Sequence, residues 1–87
     1  MQNFTSSAFR EKLEATHVFP ALYMFKFIVV DSFQDEVTML FPGHEVKIKP
    51  SSKGKYVSIT AQTMMPNSES IIKIYEEAAK IEGIIAL

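Results

Sequence analysis

The chain has 87 residues, enough for one domain and too few for two, and its 47% hydrophobic and 22% charged residues are typical of a globular protein. The net charge of −1 predicts no general attraction to nucleic acid, and no apolar run is long enough to span a membrane. Because a small secreted domain often needs disulfides, the absence of cysteine favours the cytoplasm.

A short amphipathic helix is the first predicted element. In residues 6–16, Phe9 and Leu13 are four positions apart and share one face, and a serine at the start can act as the N-cap. Few apolar anchors make a small buried face, so we expect this helix to be peripheral. The single domain is therefore divided into an N-terminal extension, 1–17, and a core, 18–87.

The next element gives the strongest strand signal in the chain. Residues 21–30 are rich in aromatic and β-branched side chains, and both faces are largely apolar, which is typical of a central strand. One face carries Tyr23, Phe25, Phe27 and Val29. The other face carries Leu22, Met24, Lys26, Ile28 and Val30.

A second helix follows this strand directly. Asp31 and Gln34 resemble a capping box, in which Asp31 caps the helix and Gln34 reaches back. The helix is predicted to extend to about Phe41, where a Pro-Gly pair ends it. A single apolar stripe with helical spacing consists of Phe33, Val37, Leu40 and Phe41.

Two alternating runs then predict a β-hairpin. Residues 45–49 form the first strand, with Val46 and Ile48 expected to face inward and the lysines outward. Residues 56–64 form the second strand, and the few residues between the two runs include a glycine, as hairpin loops often do.

The remaining elements are a helix over about 69–82 and a short strand over 84–87. After the first helix, the order is therefore β-α-β-β-α-β. This order predicts an α+β, ferredoxin-like sandwich with a four-stranded antiparallel sheet and two helices on one face. The first and third strands are central in that fold, which places the lysines of the second strand at an edge, where charge opposes pairing with other chains.

The hairpin loop has two interpretations. As a turn, it needs Gly54 for a positive φ and the serines for bonds to nearby backbone, and this is the interpretation we favour. As an anion site, it offers hydroxyls and lysines to a phosphate or a carboxylate. The candidate anion contacts are Lys47, Lys49, Ser51, Ser52, Lys53 and Lys55. The loop is not a P-loop, because Gly54-Lys55 precedes a strand rather than a helix.

The sheet face opposite the helices is the main candidate surface. Its predicted contact residues are Met24, Lys26, Ile28, Ser58 and Thr60. A small domain that exposes such a patch usually covers it with a partner or with a copy of itself. We therefore expect a protein partner or a weak homodimer. The alternative is an anion-binding protein that holds a phosphorylated metabolite or RNA with its lysine-rich hairpin, although strong nucleic-acid binding is not predicted.

Three stretches resemble the small bacterial YbeD-like proteins. They are FPALYMFKFIV over 19–29, KPSSKGKYVSIT over 49–60 and IYEEAAKIEGI over 74–84. The resemblance covers about 19–87, and its Ser-Ser-Lys-Gly-x-Tyr element is the most specific part.

This resemblance implies a fold similar to that of the ACT domains, which sense small molecules in metabolic enzymes, and it implies no established activity. It leaves a small-molecule effector open. ACT domains often place a glycine in the turn after the first strand to admit an amino acid. Here that turn is Val30-Asp31-Ser32, so this type of amino-acid site is not predicted.

The sequence contains no catalytic or metal-binding pattern. His17 and His44 have no ligand partners at useful spacing, and Ser51 and Ser52 lack a Ser-His-Asp context. We therefore expect no enzymatic activity, no metal and no cofactor. The function that remains is a regulatory or protein-interaction module.

Overall fold

One four-stranded antiparallel sheet with helices on one face makes up the structure, a computed structural model that describes residue 4 and residues 6–87. The strands are β1 (Ala21–Val30), β2 (Lys47–Pro50), β3 (Tyr56–Met65) and β4 (Ile85–Ala86). The helices are α1 (Ser7–Thr16), α2 (Gln34–Thr38) and α3 (Ser68–Ala78), with a 3-10 turn (Asp31–Phe33) before α2. The strand order β2-β3-β1-β4 places β1 and β3 in the centre. The predicted ferredoxin-like α+β fold is confirmed.

The core lies between the central strands and the helices. β1 and β3 pair along their whole length. Because side chains alternate along a strand, every second side chain of each strand faces the helices. The fully buried side chains from these strands include Phe25, Phe27, Val29, Val57 and Ile59. The buried residues of the first strand therefore belong to the face that carries Tyr23, and the candidate contact residues Met24, Lys26 and Ile28 lie on the other face.

α1 packs on the helical side of the sheet, next to α3. The Ser6 hydroxyl caps it by accepting a hydrogen bond from the Phe9 N–H at 3.1 Å. Leu13 is only 3% exposed and belongs to the core, and the Phe9 ring lies edge-on to Tyr75. The division into an extension and a core stays a prediction, but α1 adds a buried leucine to that core.

α2 is shorter than predicted. It ends at Thr38 rather than at Phe41, and the Phe41 N–H bonds to the Thr38 carbonyl, a tighter i→i+3 turn that breaks the helical ladder. The capping box was wrong as well. Gln34 donates from Nε2 to the Asp31 carboxylate at 3.0 Å, so the two side chains satisfy each other instead of capping the backbone. Val37 is nevertheless fully buried, as its stripe predicted.

α3 is also shorter than the helix that the sequence pattern predicted. The side chain of Asn67 caps its start by accepting from the Ser70 N–H at 2.8 Å. The helix ends at Ala78 instead of near Glu82, because i→i+3 turns then lead to a positive φ of 70° at Gly83.

β2 is less buried than predicted. It starts at Lys47 rather than at residue 45, and Ile48 is 41% exposed although it lies on the inner face opposite the buried Ile59. The reason is that β2 is an edge strand and the short α2 packs against β1 and β3 instead. Val46, just before the strand, is only partly buried.

Candidate functional site

Strand pairing brings the two sets of predicted contact residues onto one surface. In the central pair, Lys26 lies opposite Thr60. On the other side of β3, the edge strand places Lys47 opposite Thr60 and Lys49 opposite Ser58. Directly opposed residues of antiparallel strands share a face, so all three lysines lie on the side away from the helices. We call this side of the sheet the open face.

Large apolar side chains surround these lysines. Four of them on the open face are between 51% and 61% exposed, namely Leu22, Met24, Met64 and Ile85. Ile28 is half-buried among them, and the remaining polar positions of the central strands are Ser58, Thr60 and Gln62. Apolar area grouped in this way on a small domain is typical of an interaction surface.

Charge is separated between the two sides of the molecule. β1 and residues 44–65 contain one acid, Glu45, against five bases, a net charge of +4. These bases are Lys26, Lys47, Lys49, Lys53 and Lys55. The rest of the chain, which includes the three helices, holds nine acids against four bases, a net charge of −5. The net charge of −1 therefore conceals a basic sheet opposite an acidic helical side.

The hairpin loop is built as a tight turn. The Ser51 carbonyl accepts from the Gly54 N–H at 3.0 Å, and the Ser51 hydroxyl accepts from the Tyr56 N–H at 3.3 Å. Gly54 has a φ of 73°, which confirms the predicted positive value. The exposed tip consists of Ser52, Lys53 and Lys55. An anion contact at this tip stays a prediction.

Two hollows lie along the edge of the open face that β2 forms. The larger has a volume of about 440 Å³ and is lined by Met24, Glu45, Val46, Lys47, Thr60 and Gln62. The smaller, about 230 Å³, adjoins the hairpin and is lined by Ile28, Lys49, Pro50, Ser51, Tyr56, Val57 and Ser58. Both hollows thus combine apolar walls with a lysine and at least one hydroxyl group, and the larger also contains the Glu45 carboxylate.

Aromatic side chains are scarce on the open face. Among residues 6–87, Tyr56 is the only one there, 42% exposed at the hairpin end of β3, with the Lys55 Nζ 5.6 Å from its ring centre. The central positions are occupied by Lys26 and Thr60. Sheets that bind single-stranded nucleic acid use aromatic rings at such positions to stack bases.

The helical side contains a groove that sequence reasoning missed. It has a volume of about 510 Å³ and is lined by Met39, Leu40, Met65, Ser70, Lys73, Ile74 and Glu77. The sequence signal for this groove is an apolar residue, Met39, outside the predicted stripe of the second helix. In the structure its side chain is 76% exposed.

A buried pair of tyrosines joins β1 to α3. The hydroxyls of Tyr23 and Tyr75 lie 3.0 Å apart, and Tyr75 is 1% exposed. Burial raises the pKa of the Tyr75 phenol far above its usual 10.0, and the hydrogen bond to Tyr23 raises it further. The Tyr75 phenol therefore stays neutral at physiological pH, and its hydrogen bond to Tyr23 links the helix to the sheet.

The histidines form local contacts. The His17 Nδ1 lies 3.1 Å from the Leu13 carbonyl at the end of α1. The ring nitrogens of His44 lie 3.4 Å from the Thr63 hydroxyl on β3. In the part of the chain that the structure describes, no group of three or more histidines and acids could hold a metal ion. No helix in that part is long and apolar enough to cross a membrane.

Comparison with known proteins places the chain in a family. A family model described as a protein of unknown function, DUF493, matches residues 14–87. A UPF0250 protein from Shewanella piezotolerans (strain WP3 / JCM 13877) is 32% identical over 80 residues, which cover 84% of this chain and 91% of the relative. No solved structure matches. The chain therefore belongs to the DUF493 family, the YbeD-like family of small uncharacterised bacterial proteins.

Proposed function

We propose that this chain is a cytoplasmic, non-enzymatic regulatory module whose open face binds an acidic, partly apolar segment of a partner protein. The observation that supports this best is the combination of exposed apolar side chains with lysines on one face, while nine of the ten acids lie elsewhere. Complementary charge steers a partner and selects it, and apolar burial supplies most of the affinity. An acidic segment with apolar residues matches both properties.

A second copy fits the open face less well. A twofold contact is self-complementary, so each residue near the axis meets its own equivalent or a close neighbour. Such a contact would bring Lys26, Lys47 and Lys49 of one copy towards the same lysines of the other. Like charges brought together at an interface cost free energy, so we favour a different chain as the partner.

An acidic peptide titration tests this proposal. The probe is a short synthetic peptide in which pairs of valines alternate with pairs of glutamates, so that each face of an extended peptide carries both, and the control is its lysine counterpart of equal length. We expect the acidic peptide to shift the amide resonances of Ser58, Thr60 and Gln62, and to bind more weakly as salt is added, because screening weakens contacts between exposed charges. The lysine peptide should bind much more weakly.

Two charge reversals provide matched variants. Lys26→Glu changes the open face, whereas Lys73→Glu makes the same change on the helical side. We expect Lys26→Glu to weaken binding of the acidic peptide about fivefold, the equivalent of roughly 1 kcal/mol for an exposed charge. Lys73→Glu should have little effect.

Three results would contradict the proposal. Equal binding of both peptides would remove charge as the basis of recognition. Preference for a single-stranded oligonucleotide over the acidic peptide would indicate RNA as the partner. A rise in molar mass with concentration for the free chain, abolished by Met24→Glu on the apolar part of the open face, would indicate a second copy on this face.

Anion binding at the hairpin is a second candidate, favoured by the hollow of about 230 Å³ that Lys49 and Ser51 line. A phosphorylated small-molecule effector would place its phosphate there, near the exposed Lys53 and Lys55. Titration with inorganic phosphate should then shift amides between Lys49 and Tyr56, and Lys53→Ala should reduce the shifts. If no amide in that range responds, the loop is a turn only.

A further inference from the structure

β4 covers only part of the outer edge of β1. β3 pairs with β1 over its whole length. β4, in contrast, pairs only with Phe27 and Ile28, and the Leu87 N–H adds one bond to the Lys26 carbonyl at 2.9 Å. Among the described residues, the first half of β1 therefore has a neighbouring strand on one side only.

The backbone groups left at this edge belong to Leu22 and Met24. The Lys26 carbonyl points towards β4, whereas the Asp31 N–H points towards β3, where it bonds to the Lys55 carbonyl at 2.9 Å. Alternate residues of a strand direct their backbone groups to the same side, so those of Leu22 and Met24 point away from β3. No described residue pairs with them there. Such a row of unpaired N–H and C=O groups is a template for another strand.

The surroundings of this edge indicate what can bind to it. The side chains of Leu22 and Met24 lie on the open face and are 57% and 58% exposed, and Lys26 follows them on the same face. A strand added here would place every second side chain above this surface. Apolar side chains would contact the leucine and the methionine, and an acidic one would come within reach of Lys26.

We propose that the acidic partner segment binds by strand addition, in line with β4 and hydrogen-bonded to the backbone of Leu22 and Met24. This inference rests on the proposed function and adds the binding mode. Main-chain hydrogen bonds hold the segment in register, and Lys26, the lysine of the open face nearest to this edge, favours a glutamate or an aspartate on the side of the segment that faces it.

Amide hydrogen exchange of the whole chain tests the mode directly, with the glutamate–valine peptide as the probe. In the free chain, the amides of Leu22 and Met24 should exchange fast. With the peptide bound, we expect their exchange to slow about tenfold or more, as expected for new hydrogen bonds. The amides of Tyr23 and Phe25 already face β3 and provide the internal control, because their exchange should change much less.

A pair of substitutions at Met24 tests the same mode by affinity. Met24→Pro removes the N–H that faces the open edge and leaves the ladder with β3 intact, whereas Met24→Val keeps that N–H and an apolar side chain. We expect the proline variant to bind the peptide about tenfold more weakly and the valine variant to bind nearly as the unaltered chain does. If the proline variant does not fold, the exchange experiment on the unaltered chain decides.

The outcomes separate this inference from the proposed function. Peptide-induced shifts at Thr60 and Gln62 without new protection at Leu22 and Met24 would overturn strand addition and leave the open face as the binding surface. Equal binding by the two Met24 variants would also overturn it. Absence of any binding of the acidic peptide would overturn both.

Discussion

Replacing Gly54 with alanine measures what the hairpin turn requires of its backbone. Gly54 has a φ of 73°, and a Cβ added there meets no atom within 4 Å, so the cost comes from the backbone conformation alone. An L-residue in the left-handed region costs about 1–2 kcal/mol. Alanine also restricts the unfolded chain, which offsets roughly 0.4–1 kcal/mol of that cost. We expect the free energy of unfolding to fall by about 1 kcal/mol.

Urea denaturation followed by circular dichroism measures this loss, and a thermal melt should show a drop of about 4–8 °C for a domain of this size. The matched control is Gly54→Asn, because asparagine tolerates the left-handed region better than alanine does. The asparagine variant should therefore lose less stability. A silent Gly54→Ala, or equal losses in both variants, would refute the assignment of the cost to the positive φ.

Four further substitutions test the core and the loop. Leu13→Ala should cost about 2–5 kcal/mol in a denaturant melt, since the side chain is 3% exposed, and a loss below about 1 kcal/mol would show that α1 is dispensable. Tyr75→Phe should cost about 1 kcal/mol at neutral pH because Tyr23 loses its partner. Because the pKa of Tyr75 is raised in the folded chain, this phenol ionises at a lower pH when the chain is unfolded. The stabilising effect of Tyr75 is therefore complete below the usual value of 10.0 and is lost as the pH rises above it. The free energies of unfolding of Tyr75→Phe and of the unaltered chain, measured as a function of pH, should therefore converge in alkali. Parallel curves would contradict this. Lys53→Ala and Lys55→Ala should each change stability by less than about 0.5 kcal/mol, and a larger change would mean that the loop lysines have a structural role.

The strands could be predicted well because their signal is local. Alternation in β1 and β3 assigns each side chain to a face, and burial of Phe25, Phe27 and Ile59 follows from it. Helix ends depend on competing hydrogen bonds that the pattern does not contain. α2 stops early because of i→i+3 turns, and Gln34 bonds to the Asp31 carboxylate instead of capping the backbone.

The site could be predicted only in pieces. The sequence identifies the lysines of the hairpin and the apolar face of β1. That they lie on the same side of the sheet follows only from the register, which pairs Lys47 with Thr60 and Thr60 with Lys26. The separation of charge between the two sides could not be predicted from the net charge, which sums over the whole chain. It becomes visible only when the topology assigns each charged residue to a side. The unpaired edge at Leu22 and Met24 depends on how far β4 extends, and four apolar residues near the end of the sequence do not specify that.

A basic sheet on one side and an acidic helical surface on the other make the molecule complementary to itself head to tail. Such a contact would join two different surfaces, so it would close into a ring or extend as an open row of copies, according to the rotation between neighbours. The attraction is strongest at low ionic strength, and it weakens as salt shortens the screening length to about 10 Å at 0.1 M. A ligand seated on the basic side would occupy one of the two complementary surfaces and so compete with this contact. Binding at the sheet would then oppose self-association.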